Sequence, residues 1–253
     1  MPEPWPSLIA FSACVLALYW LQRWITQHVQ GIGILLFNSR NAAMGILWMF
    51  LLPGIVIHEL SHWVMAKLLG LKTGRFRIWP QVVRDDIVLG SVEVKQGNHL
   101  VDSVVGLAPF LGGTVALLVI GYGVFDASAL GSAWEQGAWR QSLDLLAGTL
   151  QVADSWLWLY LMLAISNAMM PSPTDRASWR VVVIYLGLVS VVLLLLGWSP
   201  ALPPILLQRI TAGLRTLLYA FGLALLIDAI FALGLLLLEF VLSLIRGGRV
   251  VYK

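Results

Sequence analysis

The run His58-Glu59-Leu60-Ser61-His62 carries the plainest chemical signal in the chain. On an α-helix, residues four apart lie one turn apart on the same face, so both imidazoles can reach one metal ion. Glu59 is rotated by about 100° from His58, close enough to act on a metal's water without filling a ligand position. These are the features of a water-activating zinc site. A catalytic zinc takes three protein ligands and keeps a fourth position open, so one more donor is needed. Two carboxylates qualify. Asp175 ends the run that begins at Ser166, in which Pro171 and Pro173 interrupt a helix and can turn a side chain back into a bundle. Asp228 lies midway along a long apolar stretch and is the rival, while His99 and Glu239 stand nearer the ends of apolar stretches and rank lower.

The elements that must hold these groups follow from composition. Of 253 residues, 59% are hydrophobic and 11% charged, against about 25% charged in ordinary soluble domains. Val104 to Phe125 and Val181 to Trp198 are uncharged runs that reach the roughly 18 residues needed to span a bilayer. The expected fold is therefore an all-α polytopic membrane protein with about six transmembrane helices. The expected spans are Leu8 to Ile25, Ala43 to Leu69, Val104 to Phe125, Leu145 to Met170, Val181 to Trp198 and Leu214 to Ile245. No polar stretch is long enough for a separate soluble domain, so residues 1–253 read as one transmembrane domain. The single Cys14 cannot form an internal disulfide. Met1 to Ser7 has no basic residue ahead of its apolar stretch, so that stretch reads as a retained helix. Trp5, Trp20 and Trp24 suit its two interfaces.

The metal motif thus falls inside the second span, where two histidines and a glutamate are costly in lipid and mark either a function or a buried pairing. Interhelical hydrogen bonding is the structural alternative. Between the second and third spans the pattern changes. Arg75-Phe76-Arg77-Ile78-Trp79 alternates polar with apolar, Arg84-Asp85-Asp86 offers a turn, and Ile87 to Val94 is rich in β-branched residues. Residues 72–98 therefore read as a membrane-associated β-hairpin insertion, whose edge can pair with an extended peptide, or else as a surface loop.

Basic residues near span ends set orientation. Lys67, Lys72, Arg75, Arg77, Arg84 and Lys95 follow the second span, Arg176 and Arg180 the fourth, and Arg246, Arg249 and Lys253 the sixth. In a six-span arrangement these fall on one side, whereas Asp126, Glu135, Asp144 and Asp154 fall on the other. Both termini are then expected to be cytoplasmic in a multi-pass protein of the cell membrane. His58 would lie about 18 Å of helix before Gly70, below the cytoplasmic surface. The basic face fits ordinary membrane topology, and no nucleic-acid partner is inferred from it.

These stretches resemble the site-2 protease family of intramembrane zinc metalloproteases. The resemblance rests on His58-Glu59-Leu60-Ser61-His62 in an apolar helix and on Asn167, Pro171, Pro173 and Asp175, which are similar to the family's Asn-Pro-Asp-Gly region. More loosely, Gly106, Pro109, Gly112 and Gly113 open the third span as a Gly-Pro segment does there, although small residues also permit close helix packing. The prolines sit one position later than in the commonest family pattern, and Arg176 stands where a glycine usually follows the Asp. The resemblance covers the second through fourth spans and the hairpin.

It implies Asp175 as the third zinc ligand and hydrolysis of peptide bonds within a transmembrane segment of another protein. Zinc held by His58, His62 and Asp175 would activate water, with Glu59 as general base and proton shuttle. Asn167 would help orient the substrate backbone, or else serve packing. The implied partners are the lipid bilayer and a transmembrane substrate. Two other readings stay open: a non-proteolytic member of the same fold that binds partner transmembrane helices, and a transporter for which Asp228 would be the relevant clue.

Overall fold

The computed structural model describes residues 4–83, 86–177, 179–195 and 203–246. Among the described residues, eight helices and four short strands follow one another: α1 (Pro4–Phe37), α2 (Arg40–Leu68), β1 (Thr73–Arg77), β2 (Gln81–Val83), β3 (Asp86–Val88), β4 (Ser91–Val94), α3 (His99–Gly123), α4 (Ala127–Glu135), α5 (Trp139–Thr149), α6 (Ser155–Ala168), α7 (Trp179–Leu195) and α8 (Pro204–Arg246). Four of them, α1, α2, α3 and α8, are long and apolar enough to cross a membrane. Large aliphatic side chains such as Leu233, Leu237, Leu244 and Ile245 are exposed along α8, which suits contact with lipid. The chain is a helical membrane protein.

Helix boundaries have local causes. Ser39 caps α2 by accepting from the Ala42 amide, and Asn98 caps α3 by accepting from the Val101 amide at 2.9 Å. Asp126 adopts φ 46° ahead of α4, where its carboxylate accepts from Ser128 Oγ at 2.6 Å and from the Ala129 amide. Helix α1 runs on to Phe37, past the expected end at Ile25, because residues 26–37 contain no proline. In that extension Val29 and Ile32 are buried with Leu47, Leu51 and Ile55 of α2 and Leu235 of α8. Helix α6 has 14 residues, about 21 Å of rise, which falls short of a hydrocarbon core of roughly 30 Å. Pro171 and Pro173 follow it and keep the chain from continuing as helix.

A second buried cluster joins Leu18 of α1, Leu117 of α3, Met162 and Ile165 of α6 and Phe221 of α8. Between α2 and α6 the backbones nearly touch: a Cβ added at Gly54 would lie 2.0 Å from the Ala164 carbonyl oxygen. Only glycine allows that approach, the usual device where helices pack without a hydrophobic drive between them.

Helices α1 and α8 run parallel. Phe11 packs edge-on against Phe221, His28 Nδ1 lies 2.5 Å from Glu239 Oε2, and Arg246 donates to the Leu36 carbonyl at 2.9 Å. Each of these pairs is separated by 210 or 211 positions, so the two helices advance together. The N-terminal end of α1 and the C-terminal end of α8 therefore lie at opposite ends of the bundle. This does not support the expectation that both termini are cytoplasmic, which needs the first and last spans antiparallel.

The strands between α2 and α3 form two antiparallel ladders. Strand β1 pairs with β4, Phe76 opposite Val92, and β2 pairs with β3, Val82 opposite Ile87. The expected turn at Arg84 and Asp85 lies outside the described residues. Pro80 separates β1 from β2 and has no N–H to offer a ladder. The excursion lies along α2: Trp48 Nε1 donates to the Ile78 carbonyl at 2.7 Å, and the Trp48 and Trp79 rings stack at 4.8 Å.

Candidate metal centre

His58 and His62 project from the second half of α2, ring centroids 5.0 Å apart. Each is oriented through Nδ1 by a backbone carbonyl from another helix. His58 Nδ1 lies 2.7 Å from the Ala168 oxygen, the last residue of α6, and His62 Nδ1 lies 2.9 Å from the Val105 oxygen of α3. A carbonyl only accepts, so each Nδ1 carries the hydrogen, and a neutral ring in that tautomer presents Nε2 as a lone pair.

Both Nε2 atoms face Asp175. His58 Nε2 is 3.6 Å from Asp175 Oδ2 and His62 Nε2 is 3.1 Å from Asp175 Oδ1. The aspartate sits in the loop after α6, fixed by reciprocal bonds with Ser172: the Ser172 amide donates to Oδ2 at 2.7 Å, and the Asp175 amide donates to Ser172 Oγ at 3.2 Å. From the other side the loop rests on α3. A Cβ added at Gly106 would lie 2.3 Å from the Asp175 carbonyl oxygen, and Trp179 Nε1 donates to the Ser103 carbonyl at 3.2 Å.

Three donors thus offer one ligand atom each, all within 4.8 Å of one another. With neutral rings, lone pairs meet a carboxylate with no hydrogen between them, an arrangement that a cation relieves. A tetrahedral centre with bonds of about 2.0–2.1 Å separates its ligand atoms by roughly 3.3–3.4 Å, and the contacts of 3.6 and 3.1 Å, which run to different oxygens of Asp175, lie near that figure. The residues fit a zinc ion on donor type, tautomer and spacing.

Glu59 is buried, 7% exposed, and lies within electrostatic range of His58, His62 and Asp175. Among the described residues its carboxylate accepts no hydrogen bond. Gly90, between β3 and β4, closes over it: a Cβ there would lie 2.9 Å from Glu59 Cγ and 3.0 Å from Oε1.

Asn167 is fully buried in α6, one residue before the carbonyl that orients His58. Its Nδ2 donates to the Leu163 carbonyl at 2.8 Å, while Oδ1 has no partner among the described residues. Asp228 is brought to Ser166 rather than to the histidines, with Ser166 Oγ at 2.9 and 3.1 Å from its two oxygens. Glu239 pairs with His28, and His99 is exposed at the start of α3. The Ala168 and Val105 carbonyls and the Gly90 contact went unnoticed in the sequence, since backbone groups carry no residue signature. No family model, curated protein or solved structure matches this chain.

Proposed function

We propose that the protein is an intramembrane zinc metalloprotease that hydrolyses peptide bonds within or near transmembrane segments of other proteins. The observation that carries this reading is the convergence of His58 Nε2, His62 Nε2 and the Asp175 carboxylate, with both rings held by carbonyls at Nδ1. A carbonyl bonded to the ring nitrogen away from the metal fixes the tautomer that a metal ligand needs. The resemblance of the motif to the site-2 protease family points the same way.

His58, His62 and Asp175 would hold the ion, and Zn2+ bound there supplies Lewis acidity towards water and a carbonyl oxygen. Glu59 takes the proton from the attacking water on a carboxylate oxygen and delivers it to the leaving amine nitrogen. Its uncommitted carboxylate suits that task. Asn167, buried one residue before the carbonyl that orients His58, is assigned to orienting the substrate backbone by the resemblance alone, with packing as the equal alternative. The substrate segment must be locally unwound, because a helical backbone keeps its carbonyls in hydrogen bonds. The ladder of β1 and β4 provides an edge on which such a segment can be held extended. The four long helices are retained as spans, and because parallel α1 and α8 require an odd number of crossings, the six-span expectation is not carried forward.

The test is zinc per chain in detergent-purified protein, beside cleavage of a reconstituted single-span substrate. Near-stoichiometric zinc in wild type, lost in His58→Ala and Asp175→Ala, is the expected result. A well-folded wild type that takes up no zinc would sink the reading in favour of the non-proteolytic one.

A further inference from the structure

Beside Asp175 the loop after α6 and the first turns of α7 enclose an open groove of about 800 Å³, lined by Pro173, Arg176, Ala177, Trp179, Val183 and Ile184. That size lies within the range of clefts that bind small ligands or short peptide stretches. Among the described residues that line it, Arg176 is the one charged group. Next to the lining, the Arg176 guanidinium carbon stands 5.7 Å from the centre of the Tyr19 ring, while Arg176 Nε lies 3.4 Å from the Ser172 carbonyl. Arg23 approaches the same tyrosine from α1, its guanidinium carbon 6.0 Å from the ring centre and NH1 donating to the hydroxyl at 3.2 Å.

Two guanidiniums thus share one phenol. Among the described residues neither pairs with a carboxylate: the bridged acids are Glu93, Glu135, Asp175 and Glu239, all with other partners. Asp175, next in the chain to Arg176, is committed to the histidines and Ser172. Two guanidiniums on one phenol with no carboxylate partner among the described residues can offer forked donors to an anion, and cations carried on the helices of a membrane bundle are candidate markers of a substrate path. The tyrosine oxygen accepts from arginine, which leaves its own hydrogen to donate.

We propose that this groove selects substrates carrying a carboxylate side chain near the cleavage point, received by Arg176, Arg23 and the Tyr19 hydroxyl. The inference rests on the protease reading for its occupant, an extended stretch of a membrane-embedded segment. A peptide is favoured over a lipid headgroup because the cation sits on the residue after a ligand of the metal centre, at the mouth of an apolar groove. Forked guanidinium donors match a carboxylate's two oxygens.

The test measures binding apart from turnover, each arm being repeated in a Glu59→Gln background that is expected to keep zinc without cleaving. Zinc-loaded full-length protein in phosphatidylcholine nanodiscs is titrated with fluorescent 25-residue Leu/Ala peptides bearing one central Asp or, as control, Asn. The Asp peptide is expected to bind on the order of 10-fold tighter, with the difference erased in Arg176→Gln and in Arg23→Gln while Asn-peptide affinity stays put. Arg176→Glu should transfer the preference to a Lys-bearing peptide, a reversal that a structural lesion does not produce. Equal affinity of wild type for the two peptides overturns the proposal, as does a preference that survives both Gln variants. Loss of the preference on adding phosphatidylglycerol overturns it in favour of a headgroup site. Zinc content and cleavage are read separately, so a failed preference in a zinc-bearing, cleaving protein leaves the protease reading standing.

Discussion

Replacing Gly106 by alanine tests whether the close seat of the Asp175 loop on α3 is what aligns the third ligand. The new Cβ would lie 2.3 Å from the Asp175 carbonyl oxygen and 3.1 Å from its carbonyl carbon. Real Cβ contacts essentially never fall under 3.0 Å, so the loop must retreat by at least about 0.7 Å. The clashing atoms are backbone, so no side-chain rotation relieves them. Metal sites tolerate ligand displacements of only about 0.2 Å, and disturbing the groups that orient ligands typically costs 10- to 100-fold in affinity. Zinc affinity of Gly106→Ala, measured by competition with a chromophoric chelator in detergent, should therefore fall by about 10- to 100-fold. Gly45→Ala is the control, since nothing lies within 4 Å of a Cβ there, and an alanine in that helical interior gains about 0.5–1 kcal/mol. If Gly106→Ala binds zinc as tightly as wild type, the loop does not position the ligand. If its melting temperature falls equally with and without zinc, the contact serves general packing only.

Other outcomes follow from the same geometry. Glu59→Gln should keep zinc and lose cleavage, because the amide keeps the size but cannot take a proton; retained cleavage removes Glu59 from proton transfer. Asp175→Ala should lower zinc occupancy while Asp228→Ala does not, since Asp228 bonds to Ser166 and not to the histidines; the reverse pattern would make Asp228 the ligand. Zinc should be held at pH 8 and released as the solution is acidified, because protons compete with the metal for the Nε2 lone pairs. Full retention at pH 4 against excess chelator would exclude histidine ligation.

The helical pair of ligands was legible because it depends on spacing along one element. Asp175 was legible only as one of two carboxylates until the resemblance to a family chose between them. The distinction between Asp175 and Asp228 rests on which helices cross where, and local pattern does not encode that. The same limit explains the course of α1 and α8. Charge counts near span ends predict alternating directions, but the parallel packing arises from contacts such as Phe11 with Phe221, more than two hundred positions apart. The carbonyls of Ala168 and Val105 were invisible for a different reason, since every residue has one. Gly90 and Gly106 could be noted as small residues, yet what each of them touches is a matter of tertiary structure.

The contact between Gly54 and the Ala164 carbonyl has a bearing on the order in which the centre assembles. It ties α2, which carries both histidines, to α6, whose last carbonyl turns His58, by backbone rather than by the ion. The residues that would hold an ion are thereby brought together by contacts of the chain itself. Removing the ion with a chelator should leave a folded apoprotein that reloads at a rate set by diffusion into the membrane interior, in contrast to small zinc domains whose chain collapses only around the metal.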